Sequence, residues 1–422
     1  MTRVRRFGRD AFRSLRIRNY RLYFVGQIVS VSGTWMQGIA QAWLVLRLTG
    51  SGVSLGITTA LQFAPMLVLG GWGGVVADRL DKRRLLIATQ VAAASLALTL
   101  GLIAGLGAAR VWNVYLLAFL LGVVNVFDNP ARQTFVLEMV GREDLQNAVS
   151  LNSVVMNSSR VVGPAIGGML IATVGLTVCF FVNAASYLAV IAALLAMDGS
   201  ALMRLPTVAR ARGQLREGYR YVWSDRALRT PLLLMAVIGT LAFNFHVLVP
   251  LLATREFGTG AGGFGGLTAV LGAGAVVGGL SVSTLRTVSY RRLIVLAGLL
   301  GVTILASAAA PTLELEVVAL FVMGAAAFAF VATANTTLQL TAAPEMRGRV
   351  MALYAIAFLG TTPIGSPLVG WIAEVAGPRV AIAVGGVATL AATAVAGWSL
   401  GRGDAGAPRR EARSVTMEPS VA

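Results

Sequence analysis

The sequence predicts an all-α protein that crosses a membrane many times, with twelve helices arranged as two pseudo-symmetric six-helix bundles. Three observations carry this prediction. Of 422 residues, 56% are hydrophobic and only 13% are charged, where a soluble chain carries about a quarter charged residues. The apolar residues come in runs of roughly 20, the length at which a helix rising 1.5 Å per residue crosses a hydrocarbon core about 30 Å thick. The basic residues fall almost entirely on alternate connections between those runs. A closed barrel, the other architecture a bilayer permits, would alternate apolar and polar residues, and runs such as LLIATQVAAASLALTLGLIAGLG do not.

The runs lie at about 22–46, 54–77, 85–107, 112–131, 148–173 and 176–197, then 229–252, 263–285, 293–310, 315–339, 349–373 and 379–400. If the N-terminus is cytoplasmic, thirty of the thirty-five Lys and Arg residues are cytoplasmic. Only Arg47, Arg110, Arg255 and Arg379 face the other side, and Arg160 lies within a span. That asymmetry obeys the positive-inside rule and places both termini inside a cell membrane. It also explains a net charge of +17 without nucleic acid, since the charge is spread over loops that meet anionic lipid headgroups.

Residues 1–21 form a basic cytoplasmic segment, read either as a short surface helix or as a disordered tail. An N-terminal bundle (22–197) and a C-terminal bundle (229–400) are joined by a cytoplasmic loop (198–228), and 401–422 is a disordered cytoplasmic tail. Two pairs of segments suggest duplication: RRLLIA at 83–88 with RRLIVLA at 291–297, and GPAIGG at 163–168 with SPLVGW at 366–371. Two six-helix repeats around a central cavity are a transporter architecture.

Enzymatic readings fail early. The one lysine, Lys82, is followed by Arg83 and cannot complete a phosphate-binding loop. One histidine, His246, and one cysteine, Cys179, exclude a His/Cys metal cluster and an internal disulfide. Neither a metal nor another cofactor is expected.

Polar residues inside spans are the functional candidates. Gln27, Ser30, Thr34, Gln37 and Gln41 recur at 3- and 4-residue spacing on one face of the first span. They read as the wall of a water-filled pathway or as interhelical glue. Asn125 and Asp128 near the inner end of the fourth span, and Asn335 and Gln339 near that of the tenth, could line the cytoplasmic mouth. Asn157 shares a face with Arg160, and Asn244 and His246 lie in the seventh span. Arg160 sits about 18 Å into the fifth span, where a charge must face a cavity or a partner, with Asp128 the candidate partner. In the same span Ser159, Gly163 and Gly167 repeat every four residues beside Pro164 and Gly168. Such a face lets a neighbour approach closely, whether to rock or simply to pack.

GVVADRLDKRR resembles the signature that follows the second helix in the major facilitator superfamily, with Gly74, Asp78, Arg79, Lys82 and Arg83 at matching positions and Asp81 replacing the usual glycine. SRVVGPAIGG resembles the fifth-helix motif of antiport exporters, with Ser159 in place of its first glycine. FDNPARQTFVLEMVGREDLQNAVSLNS resembles the branch of transmembrane secretion effectors. The fourth helix departs from many proton-coupled members, with Ala118 where they carry an arginine. The resemblance implies export of a small amphipathic molecule by alternating access, powered by protons, in a protein that works as a monomer. Asp128 and Arg160 are the candidate coupling pair. An importer or facilitator of the same fold, or a non-transporting receptor, is the alternative.

Asp78 ends a helix that runs toward the cytoplasm, at the pole where a carboxylate is unfavourable. It therefore needs compensation from Arg79, Arg83 or the start of another helix. By the resemblance that helix is the eleventh, near Arg349, and Asp78, Arg79, Asp81, Lys82 and Arg83 form a latch on the cytoplasmic mouth.

Overall fold

The structure is a computed structural model and describes residues 12–203, 214–283 and 289–404. Among those residues it is helical, with no strand. The first helices are α1 (Arg18–Thr49), α2 (Gly52–Arg79) and α3 (Lys82–Gly105). Val111–Thr173 follows as one run of 63 residues. Straight, it would be about 95 Å long, some three times the hydrocarbon thickness. Gly141 breaks it at φ 70° and ψ −177°, a left-handed conformation that costs glycine nothing and an L side chain much. We label residues 111–140 α4 and 142–173 α5. Then come α6 (Leu176–Leu195), α7 (Gln214–Ser224), α8 (Arg226–Leu241), α9 (Phe245–Leu251), α10 (Ala261–Ser283), α11 (Tyr290–Ala309), α12 (Leu313–Thr341), α13 (Arg347–Phe358), α14 (Thr362–Val375) and α15 (Pro378–Asp404).

Ten segments among the described residues are long and apolar enough to cross a membrane, the 63-residue run counting as one. The expected twelve spans are therefore not matched helix for helix. The fourth and fifth form one run kinked at Gly141, and the polar first span is long but not in the apolar set. The seventh and eleventh are each broken. Between α8 and α9, the Asn244 side chain donates to the Thr240 carbonyl at 2.8 Å, competing with the backbone ladder. Between α13 and α14, Pro363 has no N–H to donate to the preceding turn. Helix starts are set by side-chain caps: Ser51 accepts from the Ser54 amide, Asp81 from that of Arg84 and Asp225 from that of Ala227.

Helices α1–α6 pack on one another, and α8 and α10–α15 do likewise. Two seams join the groups, α5 on α10 and α2 on α14. The expected connecting loop contains α7, which is tied to α13 by Glu217–Arg349 at 2.7 Å. Its Tyr221 hydroxyl accepts from the Ala343 amide at 3.1 Å. Within the expected N-terminal segment, Arg13–Arg16 is a 3-10 turn, with Arg13 paired to Asp144. Residues 1–11 and the expected tail beyond Asp404 lie outside the described residues.

Candidate functional site

The fifth-helix motif meets two different neighbours. A Cβ on Gly163 would stand 2.7 Å from the Ser32 carbonyl, and one on Gly167 3.2 Å from that of Met36, both on α1. Ser159 and Ser32 share a hydroxyl contact of 3.0 Å. Gly168 looks the other way, toward α10, where a Cβ would stand 2.8 Å from Gly265 Cα. A Cβ on Gly265 would stand 2.7 Å from the Pro164 carbonyl. The second seam is built alike. A Cβ on Gly52 would stand 2.7 Å from the Gly370 carbonyl, and one on Gly56 2.7 Å from Pro367 Cα. Pro367 and Gly370 belong to SPLVGW, the segment related to GPAIGG. Each related segment thus contributes to one seam between the groups.

Both seams lie toward the end where α2 begins and α14 finishes. There, Glu374 accepts from the Ser51 hydroxyl at 2.6 Å and from the Val53 amide at 3.1 Å. Arg255 donates to the Gly50 carbonyl at 2.6 Å and the Ala373 carbonyl at 3.2 Å. Glu374 therefore sits at the positive start of α2 and Arg255 at the negative finish of α1, each where the helix dipole favours it.

Midway along the helices a cavity of about 310 Å³ opens between the groups. It is walled by Trp35 of α1, Phe63 of α2, Arg160 of α5 and Phe328 of α12, among others. Both helix breaks reach it, with Phe243, Asn244 and His246 from one side and Phe358, Leu359 and Thr362 from the other. Broken helices flanking a mid-membrane cavity are a recurrent way to free backbone and side chains for a ligand. Arg160 lies 4.4 Å from the Phe328 ring centroid and 5.5 Å from that of Trp35. Its Nε and Nη1 are buried with no hydrogen-bond partner. His246 stacks on the Trp35 ring, with centroids 5.9 Å apart.

Comparison with known proteins fits this geometry. Residues 9–418 match the family described as transmembrane secretion effector, of the major facilitator type. This chain belongs to that family. It is 28% identical over 372 residues to the multidrug efflux pump Tap of Mycolicibacterium fortuitum, covering 84% of this chain and 89% of Tap. It is 23% identical to macrolide efflux protein A of Streptococcus pyogenes, covering 82% and 88%. A bacterial homologue of the lysosomal transporter Spinster, solved inward-facing and unoccupied, superposes with a TM-score of 0.69 at 15% identity, over 90% of this chain and 94% of that one. The protein is a multi-pass membrane transporter of the major facilitator type and not an enzyme.

Of the residues expected to line this secretion effector's pathway, Arg160, Asn244 and His246 reach the cavity. The first-span stripe does not. Gln37 accepts from Asn183 of α6 at 2.6 Å, Thr34 contacts Tyr187 of α6 at 3.4 Å, and Gln27 accepts from Arg132 of α4. Gln41 is buried. Gln27, Thr34 and Gln37 thus meet neighbouring helices, and α1 turns Trp35 and Ile39 to the cavity instead. Asn125, Asn157, Asn335 and Gln339 are also off the cavity wall. Asn157 donates back to Ser153 at 2.8 Å, and Gln339 donates to Asn335 at 2.5 Å.

The expected Asp128–Arg160 pair is not made. Asp128 binds Arg132 one turn away at 2.6 Å, and its other oxygen accepts from Thr89 and Gln90, each at 2.8 Å. Arg160 faces aromatic rings. The latch set also divides. Among the described residues Asp78 has no hydrogen-bond or ion-pair partner, and Arg79 is exposed. Asp81 caps α3. Lys82 is buried against Glu138 at 2.6 Å. Arg83 donates to the Leu194 and Leu195 carbonyls at 2.7 and 3.0 Å, closing the end of α6. Asp81, Lys82 and Arg83 therefore brace one group internally, and Arg349 is engaged by Glu217.

Sequence reasoning missed Glu374 with Arg255, the Lys82–Glu138 pair and Glu316. Glu316 is fully buried, with one carboxylate oxygen accepting from Ser307 at 2.7 Å and the other unpartnered. A small cavity of about 20 Å³, enough for about one water, lies beside Ser307. Phe245 lines both this cavity and the central one.

Proposed function

We propose that this protein exports a small amphipathic molecule by alternating access, driven by inward flow of protons, working as a monomer with both termini in the cytoplasm. The observation that carries the reading is the central cavity, sealed by backbone-close seams toward the Glu374 end while Asp78 stands unpaired at the basic end. By the charge asymmetry the basic end is cytoplasmic. The described conformation is then the one that loads cargo from inside. The efflux activity named for Tap and macrolide efflux protein A supports export over import.

In this reading the two helix groups are the N- and C-terminal bundles, and export requires the glycine seams to part. Asp78 then docks on the start of α13 and closes the cytoplasmic mouth. Glu374 on the start of α2 already displays the mirror of that contact. The proton is carried by Glu316 rather than by Asp128. Glu316 has one unpartnered oxygen and a bond to Ser307, and Ser307 lines a small cavity that shares Phe245 with the central one.

Everted membrane vesicles acidified inside test the reading. Expected is uptake of at least one of a panel of radiolabelled cationic, neutral and anionic amphiphiles, abolished by a protonophore. Uptake that ignores the gradient would mean a facilitator. No flux of any compound would mean a receptor or scaffold. Glu316→Gln should leave equilibrative exchange intact and remove the response to the gradient.

A further inference from the structure

Among the described residues, Arg160 is the one formal charge on the cavity wall. No Asp or Glu stands beside it there. A guanidinium held in a membrane interior ordinarily has a carboxylate, backbone carbonyls or a wet cavity to answer it. Among the described residues, Nε and Nη1 of this one are buried with no hydrogen-bond partner. The acid that could have served, Asp128, is consumed by Arg132, Thr89 and Gln90. The cation is steadied from the side by Phe328 and Trp35, contacts that hold a guanidinium through the ring quadrupole and leave its Nε and Nη1 donors unspent. Leaving buried donors unmade is costly, so the site is complete only when something else accepts from them.

We propose that the cargo is an organic anion, an aromatic or otherwise apolar body carrying a carboxylate, and that Arg160 is its binding residue. The guanidinium fork matches a carboxylate in a two-point hydrogen bond. The body of the cargo lies among Phe63, Phe243 and Phe358, which line the same cavity. His246, stacked on Trp35, keeps that ring in place beside Arg160. The same arrangement disfavours organic cations, because no wall residue offers a negative charge and the one charge present repels them. The proposal rests on the cavity being the transport site, and it specifies what that site selects.

Three probes with one apolar body separate charge from hydrophobicity: pyrenebutyrate, pyrenebutanol and pyrenemethylamine. Binding to the purified full-length protein in a neutral detergent is read as quenching of tryptophan emission. Pyrenebutyrate should bind at least about tenfold more tightly than pyrenemethylamine, the gain expected of one charge-assisted bidentate contact. Arg160→Gln should remove that preference, and Arg160→Lys, which keeps the charge and loses the fork, should retain only part of it. Equal affinity for the three probes, preference for the cation, failure of pyrenebutyrate to bind, or undiminished pyrenebutyrate binding in Arg160→Gln would each overturn the proposal. The wild-type comparison needs no variant, so a folding defect cannot mask the outcome. Binding needs no flux: anion selectivity without vesicle transport sinks the export reading alone, and transport of cations with no anion binding sinks this one alone.

Discussion

Gly168 of α5 and Gly265 of α10 meet backbone to backbone across the seam between the helix groups, so close that a methyl on Gly168 would stand 2.8 Å from Gly265 Cα. No side chain fits between them, and the contact is available only while the seam is shut. Gly168→Leu should therefore destabilise the described conformation through overpacking, by about 1–3 kcal/mol. Thr59→Cys in a Cys179→Ser background reports the result, since Thr59 lines the cavity. An impermeant maleimide added outside cells should label it at least about fivefold faster when Gly168→Leu is present. Gly266→Ala, where the added Cβ meets nothing within 4 Å, should leave labelling unchanged.

The Lys82–Glu138 pair makes a different prediction. Both side chains are almost fully buried, and removing one partner of such a pair strands a charge at a cost of about 3–5 kcal/mol. Lys82→Met should lower the Tm of the detergent-purified protein by several degrees. The double substitution Lys82→Met with Glu138→Leu should recover most of the loss, because burying two apolar groups is often as favourable as burying the pair. If Lys82 were instead part of a latch between the groups, the single substitution would shift labelling of Thr59→Cys and leave Tm alone.

Asp128→Asn should behave as a structural lesion. The carboxylate gathers Arg132, Thr89 and Gln90 from two helices, and its loss leaves the half-buried Arg132 without a counter-charge. A loss of about 3 kcal/mol in stability is expected, with the gradient dependence of the remaining transport retained. Gradient-independent transport by a fully stable Asp128→Asn protein would restore Asp128 as the coupling acid.

These residues also show what the sequence could and could not disclose. A lone arginine in a span announces itself, because a charge there needs a reason, and Arg160 does line the cavity. Its expected partner Asp128 is otherwise engaged, and a fourth span ending at residue 131 leaves out Arg132. The helix in fact continues past Arg132, which puts Asp128 and Arg132 one turn apart. Helical spacing located the polar face of α1 correctly but could not reveal what that face meets. Asn183 and Tyr187, which receive it, lie in a span whose apolar character dominates. The aromatic wall of the cavity was invisible for a simpler reason: Phe328 or Phe358 in an apolar run looks the same whether it faces lipid or cargo. The glycine motifs were legible as close-packing faces, while their division between α1 and α10 depended on tertiary structure.

Glu374 and Asp78 carry the last prediction. Glu374 finishes α14 and sits on the start of α2. Asp78 finishes α2 and, in the proposed outward-facing state, sits on the start of α13, in the same broken span as α14. One acid is therefore bound while the other is free, and the two contacts favour opposite conformations. A carboxylate at a helix start contributes about 0.3–1 kcal/mol, a factor of about two to five in a two-state equilibrium. Glu374→Gln should raise external labelling of Thr59→Cys by that factor, because it weakens the seal seen here. Asp78→Asn should lower it by a similar factor, because it weakens the opposing one. The double variant should return close to the parent rate. Two substitutions that shift labelling in the same direction would mean that Asp78 and Glu374 do not act on opposite ends of one equilibrium.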